Sequence, residues 1–349
     1  MRLRLKHLVA TLVAVPILGL LVGWLGLVPI GASGGHWAAT DWFLHWVMRN
    51  SVRTASLGTT VPPLEDPAML PLGAGHFETG CAFCHGSPAQ DRSAAALAML
   101  PPPPNLSEVV PTWTDAELFE IVQHGVRLTG MPYWPVRNRE DEVWSIVAFL
   151  RQLPEIDAAT YRQLSGLAEP VPGAVEPPAL SCDGCHAEER LTGRSLIPSL
   201  AGQSEAYLLD SLRAYSAGTR ASGVMSVAIS ALKDEDLPAL ATAYAERARQ
   251  RKEPAEAKPA MVELGRTLAE QGDPARRIPA CLSCHDKPDA NPAFPHLSGQ
   301  SAPYLQSQLR LFVAKTRGGS QYRDLMQHAA EHLEEADIQA LAAYFAGRP

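Results

Sequence analysis

Read for hydrophobic and polar positions alone, the chain begins with 23 uncharged, mostly apolar residues at 8–30. That is enough to cross a hydrocarbon core of roughly 30 Å as one tilted helix. Just beyond it, Trp37, Trp42, Phe43, Trp46, Val47 and Met48 are interleaved with Asp41, His45 and Arg49, and with Trp24 four of the seven tryptophans fall in this region. Such a segment is expected either at the membrane–water interface or as a short helix packed on the next domain. Further along, apolar residues recur at spacings of three and four over 115–124, 140–153, 207–215, 237–248, 261–271, 304–313 and 336–346, each read as a helix. No segment alternates as a strand would, so the expected fold class is all-α.

The same pattern repeats. Ile197-Pro-Ser-Leu-Ala-Gly-Gln-Ser-Glu-Ala-Tyr-Leu is answered by Phe294-Pro-His-Leu-Ser-Gly-Gln-Ser-Ala-Pro-Tyr-Leu, and Leu232, Asp236 and Leu237 by Leu333, Asp337 and Ile338. An earlier stretch is a more distant copy, with Pro101 to Pro104 and Asn105-Leu106 in place of the Pro-x-Leu-x-Gly-Gln segment. Fixed-period similarity means an array of like domains. The expected division is 1–35 as anchor or signal segment, 36–69 as interfacial linker, and domains at 70–153, 154–250 and 259–349. Proline-rich and charged linkers fall near 153–178 and 249–259.

Charge narrows the partners. The formal net charge is -7 over 349 residues, and Arg2, Arg4 and Lys6 precede the apolar stretch. The acidic remainder disfavours nucleic acid and permits a basic protein. Basic residues ahead of an apolar span are expected to stay cytoplasmic, which exports everything after it. An uncleaved anchor fits the length of the span better than a removed signal, for which Gly31-Ala32-Ser33 is a weak site.

All six cysteines belong to Cys-x-x-Cys-His units: Cys81, Cys84 and His85; Cys182, Cys185 and His186; Cys281, Cys284 and His285. The first cysteines are 101 and 99 positions apart. Two thiols at this spacing can each form a thioether to a vinyl group of one porphyrin, and the adjoining histidine then becomes the proximal iron ligand. Zinc or disulfides give that histidine no required role. Three covalently attached haem c groups are therefore expected.

The sixth ligand follows by elimination. Of eight methionines, Met225 is alone between His186 and the next linker and Met326 is alone after His285. Each lies seven residues before the aligned Leu232 or Leu333. In the first repeat Met131 follows a Gly130 and precedes Pro132, whereas Met99 is read as packing. His328 and His332 rival Met326, but they align with Val227 and Ala231. His76, His124 and His296 are read as structural.

On these motifs the chain resembles the class I c-type cytochromes over about 70–349, and domains 2 and 3 are similar to tandem di-haem cytochromes. The resemblance implies that the carbonyls of Pro198 and Pro295 orient His186 and His285, and that Gly73 and Phe77 pack against Trp144. The proline-rich run at 170–178 leaves the first helix of domain 2 in question. His/Met ligation leaves no open iron position, so the expectation is an electron carrier facing the periplasm from a bacterial inner membrane. Its expected partners are respiratory redox proteins: a quinol-oxidising complex or dehydrogenase as donor and an acceptor such as a terminal oxidase. A subunit of a membrane-bound dehydrogenase and a peroxidase-like enzyme with one open iron are the alternatives.

Overall fold

The computed structural model describes residues 4–28, 30–167, 182–254 and 256–348. The proline run at 170–178 and Arg2 lie outside the described residues. Two helices precede the repeats, α1 (Arg4–Trp24) and α2 (Ala38–Ala55). The first repeat holds α3 (Met69–Gly80), α4 (Ala82–His85), α5 (Ala94–Leu97), α6 (Leu106–Val109), α7 (Asp115–His124), α8 (Glu140–Gln152) and α9 (Ala158–Ser165). The second holds α10 (Cys182–His186), α11 (Glu205–Ser216), α12 (Gly223–Ala228) and α13 (Leu237–Ala245). The third holds α14 (Pro259–Gln271), α15 (Ala302–Val313), α16 (Arg323–Ala330) and α17 (Glu335–Gly347). Among the described residues extended pairing is confined to isolated bridges, so the molecule is mostly helical.

Helix α1 contains one candidate span, His7–Trp24, with mean hydropathy 2.0 and none of it buried. The 21 residues of α1 measure about 30 Å at the helical rise. Helix α2 differs between its two halves. Its first half exposes Trp42, Phe43 and Trp46, while its second half packs on α7, where Arg49 lies 4.6 Å over the Trp113 ring.

In the first repeat α3 crosses α8. A side chain at Gly73 would run into the Ser145 carbonyl and Phe149, so the bare backbone is what lets the two axes approach. The crossing point decides the aromatic pairing. Phe77 meets Phe149 at 5.2 Å between ring centroids, whereas Trp144 turns the other way and stacks on Phe119 of α7 at 4.3 Å. The expected Phe77–Trp144 contact is thereby corrected: residues 145 and 149, one turn apart on α8, face α3, and 144 does not. Gly265 of α14 repeats the device against the Ala340 carbonyl of α17.

Helix α7 begins with a capping box, in which Thr114 and Glu117 exchange backbone and side-chain bonds. Helix α8 ends at Gln152, one residue before the expected 153, because Pro154 follows. Helix α9 differs from the expected 154–250 domain. It packs on α3 and buries Tyr161 between Phe77 and Phe149, so by its contacts it sides with the first repeat. Among the described residues the second repeat has the smallest core, Leu208, Ala241 and Tyr244, and α3 lies against its α10 and α12.

Candidate functional site

A Cys-x-x-Cys-His segment wound into one helical turn places its first cysteine, second cysteine and histidine on one face, at i, i+3 and i+4. The chain does this at α4, at α10 and, as a tighter 3-10 turn, at Cys281–Ser283. In the first and third, the histidine N–H closes the turn on the carbonyl of the first cysteine at 3.0 Å. None of the six cysteines is in a disulfide. Burial pushes the thiol of Cys81 up to about 12 and that of Cys281 up to about 11. Among the described residues no three His, Cys, Asp or Glu side chains converge as a structural zinc site requires.

Each histidine is held the same way. Nδ1 of His85 donates to the carbonyl of Pro104 at 2.9 Å, Nδ1 of His186 to Pro198 at 3.0 Å and Nδ1 of His285 to Pro295 at 3.0 Å. A carbonyl can only accept, so the proton sits on Nδ1 and the Nε2 lone pair is left for a metal. Burial also lowers the pKa of all three rings, which keeps them neutral as ligation requires. The Pro198 and Pro295 bonds are those the family resemblance implied. Pro104 makes the equivalent bond 19 residues after His85, across a longer loop that Arg92 braces by donating to the Pro103 carbonyl at 2.9 Å.

A family model described as cytochrome c oxidase, cbb3-type, subunit III matches residues 68–150, and one described as cytochrome c matches residues 262–347. Cytochrome c4 of Pseudomonas aeruginosa is 33% identical over 189 residues, covering 53% of this chain and 92% of the relative. The thiosulfate dehydrogenase electron acceptor of Thiomonas intermedia is 35% identical over 187 residues, covering 52% of this chain and 85% of that protein. The crystal structure of reduced recombinant cytochrome c4 from Pseudomonas stutzeri is 30% identical and covers 48% of this chain and 93% of that one, with a TM-score of 0.42.

The chain belongs to the c-type cytochromes. Covalent haem c and electron transfer come with that membership, and the residues of this cytochrome can be tested for fit. Cys182, Cys185, His186 and Met225 line one continuous cavity of about 1350 Å³ together with Cys281, Cys284, His285 and Met326. That exceeds the ~300–1,000 Å³ of a single small-molecule pocket. Two arginines face each other across the cavity wall. Arg220 is 5% exposed, donates to Ser211 at 2.8 Å and stacks on Tyr215. Arg317 donates to Gln308 at 2.7 Å.

Neither guanidinium forms an ion pair with a carboxylate among the described residues. The phenols of Tyr207 and Tyr304 stand between them. Burial pushes the Tyr207 phenol up, but the guanidiniums of Arg220 and Arg317 outweigh it and lower its pKa. Arg220 is buried and Arg317 half-buried; two such like charges without a carboxylate partner favour an anion beside them, which the propionate carboxylates of a bound haem would supply. The residues lining this cavity would thus suit a haem on both its iron and its carboxylate sides.

In the first repeat Cys81, Cys84, His85 and Met131 lie outside that cavity and outside a second one of about 790 Å³ beside Gln123 and Trp134. Met131 ends a loop closed on itself, its carbonyl accepting from Val126 N–H at 3.2 Å. Met99 packs on Gly130. Of the two rivals of Met326, His328 donates from Nδ1 to the Asp324 carbonyl at 2.7 Å, and the buried Nε2 of His332 lies 3.5 Å from Glu331 without a hydrogen bond; of the histidines read as structural, His296 lies 3.4 Å from Asp286 and His124 3.5 Å from Glu120.

Sequence reasoning passed over the residues that join the domains. Gln203 and Gln300 sit in the quoted repeat motif without an assigned role. Arg220 and Arg317 each follow the aligned Tyr207 and Tyr304 by 13 positions, a signal that was available. Arg139 and Glu142 had no sequence signal beyond being charged residues at the start of an amphipathic helix.

Proposed function

We propose that the chain carries three haems in series and passes electrons along them, from the periplasmic face of an inner membrane to which α1 anchors it. Cys81, Cys84, Cys182, Cys185, Cys281 and Cys284 hold the porphyrins, His85, His186 and His285 are the proximal ligands, and Met131, Met225 and Met326 the distal ones. The observation that carries this reading is the Nδ1–proline carbonyl bond, made by all three histidines. When bound, each haem supplies a one-electron couple whose potential a thioether ligand raises. The protein's share is to orient the imidazoles, exclude water and keep the groups close in one chain.

The contacts of α3 with α10 and α12, and of repeat 2 with repeat 3, favour the order 1–2–3 with the second haem in the middle. The match of 68–150 to an oxidase-subunit family supports a terminal oxidase at one end. The likeness to electron acceptors of thiosulfate dehydrogenases supports a dehydrogenase at the other, with the chain as its non-catalytic electron-accepting partner.

The test is a pyridine haemochrome count and intact mass on the purified membrane fraction, with oxidised and reduced spectra. Three low-spin haems per chain, with the weak long-wavelength methionine-to-iron band, are expected. Two haems would remove the first repeat from the wire, and a high-spin or carbon-monoxide-binding fraction would point to the peroxidase-like alternative. Recovery of the chain in the soluble fraction with its first 30 residues missing would replace the anchor by a cleaved signal.

A further inference from the structure

The loop that leads into Met225 is held from another domain. Three successive residues, Ala221, Ser222 and Gly223, are each bonded by a side chain of the first repeat. Arg139 Nη1 donates to the Ala221 carbonyl at 2.7 Å. Ser222 Oγ donates to Glu142 Oε1 at 2.6 Å, and the Gly223 N–H donates to Glu142 Oε2 at 2.6 Å. Arg139 also pairs with Glu142 at 2.9 Å, and Glu142 is only 3% exposed. The chain of bonds reaches the methionine itself: the same Ser222 Oγ accepts from the Met225 N–H at 3.1 Å, capping α12. One carboxylate of domain 1 is thus two hydrogen bonds from the backbone of residue 225.

Among the described residues the third repeat has no counterpart. At the positions of Ser222 and Gly223 it carries Arg323 and Asp324, which bond each other at 2.9 Å and are exposed. The residue preceding α16, Tyr322, makes no side-chain cap. Buried charges retained at a junction are weak sources of stability but can fix register, and here the register fixed is that of the segment bearing the sulfur.

We infer that Glu142, oriented by Arg139, is a positioning residue for the second haem: it holds Met225 at the iron from across the domain boundary, so that docking of domain 1 sets the potential of haem 2. This rests on Met225 being the distal ligand. With the clamp intact the thioether stays bound; without it the α12 cap loosens and the sulfur spends time off the iron, which lowers that one potential.

The experiment is spectropotentiometry of the full chain with all haems loaded, comparing Glu142→Ala, Ser222→Ala and Met225→Ala with the parent. Expected is a fall in one midpoint potential in all three variants, the same one each time, with the others unmoved. The loss of the methionine-to-iron band approaches about one third, one site of the three, in Met225→Ala and is smaller in the clamp variants. Glu142→Gln, which keeps an acceptor oxygen for Ser222, recovers part of it. Should Glu142→Ala fail to load haem, Ser222→Ala gives the same reading through a milder change. If Met225→Ala moves a potential and neither clamp variant does, the inference is overturned while the ligand assignment stands. If Met225→Ala moves nothing, the ligand assignment falls and the inference with it.

Discussion

The two junctions in the chain are built on opposite plans. Between repeats 2 and 3, Gln203 donates to the His296 carbonyl at 2.7 Å and accepts from the His296 N–H at 2.9 Å. Gln300 does the same to Ser199, at 2.7 and 3.1 Å. Each glutamine thus reads the backbone of the residue directly after the aligned histidine-orienting proline, in the manner of a two-fold, self-complementary interface. Between repeats 1 and 2 nothing is reciprocal among the described residues: a buried Arg139–Glu142 pair and the indole of Trp134, whose ring lies 4.5 Å from that of His76, meet the turn at 221–223 of the second repeat. A duplicated domain can pair with its copy by one residue used twice. A diverged domain has to be fitted with charges and shape, and that makes its junction the one sensitive to pH and to a single added methyl group.

The glutamine junction should be the harder to breach. Gln300 is 4% exposed, and its partner Ser199 is buried too, so Gln300→Ala leaves a backbone N–H and a carbonyl unsatisfied. The expected loss is roughly 2–4 kcal/mol by denaturant unfolding of the haem-loaded chain, with little dependence on salt or pH. A loss below about 0.5 kcal/mol would mean that water replaces the amide and that the symmetry is incidental.

The first junction should instead soften in acid. His76 is 4% exposed, its Nδ1 has no hydrogen-bond partner among the described residues, and burial lowers its pKa to about 4. Folded, the ring stays neutral down to that pH; unfolded, it takes a proton from about 6.5 downward. The stability it allows is present above pH 6.5 and is lost as pH falls towards 4. At pH 5 the loss is about 2 kcal/mol. His76→Leu should remove that part of the acid dependence, read as the difference in thermal midpoint between pH 7.5 and pH 5.

Much of this was legible from spacing. The all-helical class, the cytochrome resemblance and the repeat pairing of 197–208 with 294–305 all rest on patterns that one chain displays by itself. The partner of Phe77 was misread because sequence gives the face of a helix but not the turn at which a neighbour crosses it; Gly73 set that crossing at Ser145 and Phe149. Residues 154–165 fall in a proline-rich linker at the start of the second domain by the repeat period, yet they form α9, whose Tyr161 finds its burial between Phe77 and Phe149. The Glu142 clamp was out of reach because Ser222 and Glu142 are 80 positions apart and neither belongs to a motif. Long-range polar contacts between unlike domains leave no period behind them.

The smallest effects give the sharpest form of the comparison, because they fall on aligned positions. Gly223 and Asp324 occupy the same place before their methionines. A methyl group on Gly223 would enter the indole ring of Trp134. Overpacking of this kind costs about 1–3 kcal/mol, and alanine returns about 0.5–1 kcal/mol through its better helix propensity at the first position of α12. Gly223→Ala should therefore destabilise the chain by about 1–2 kcal/mol in urea. Asp324→Ala removes an exposed side chain whose contacts are local and should change stability by less than about 0.5 kcal/mol. Equal effects at both positions would mean that Trp134 yields freely and that the first domain touches the Met225 loop without restraining it. A clear difference would show that two copies of one segment answer to different neighbours, which is the condition for two similar haem sites in one chain to be tuned apart.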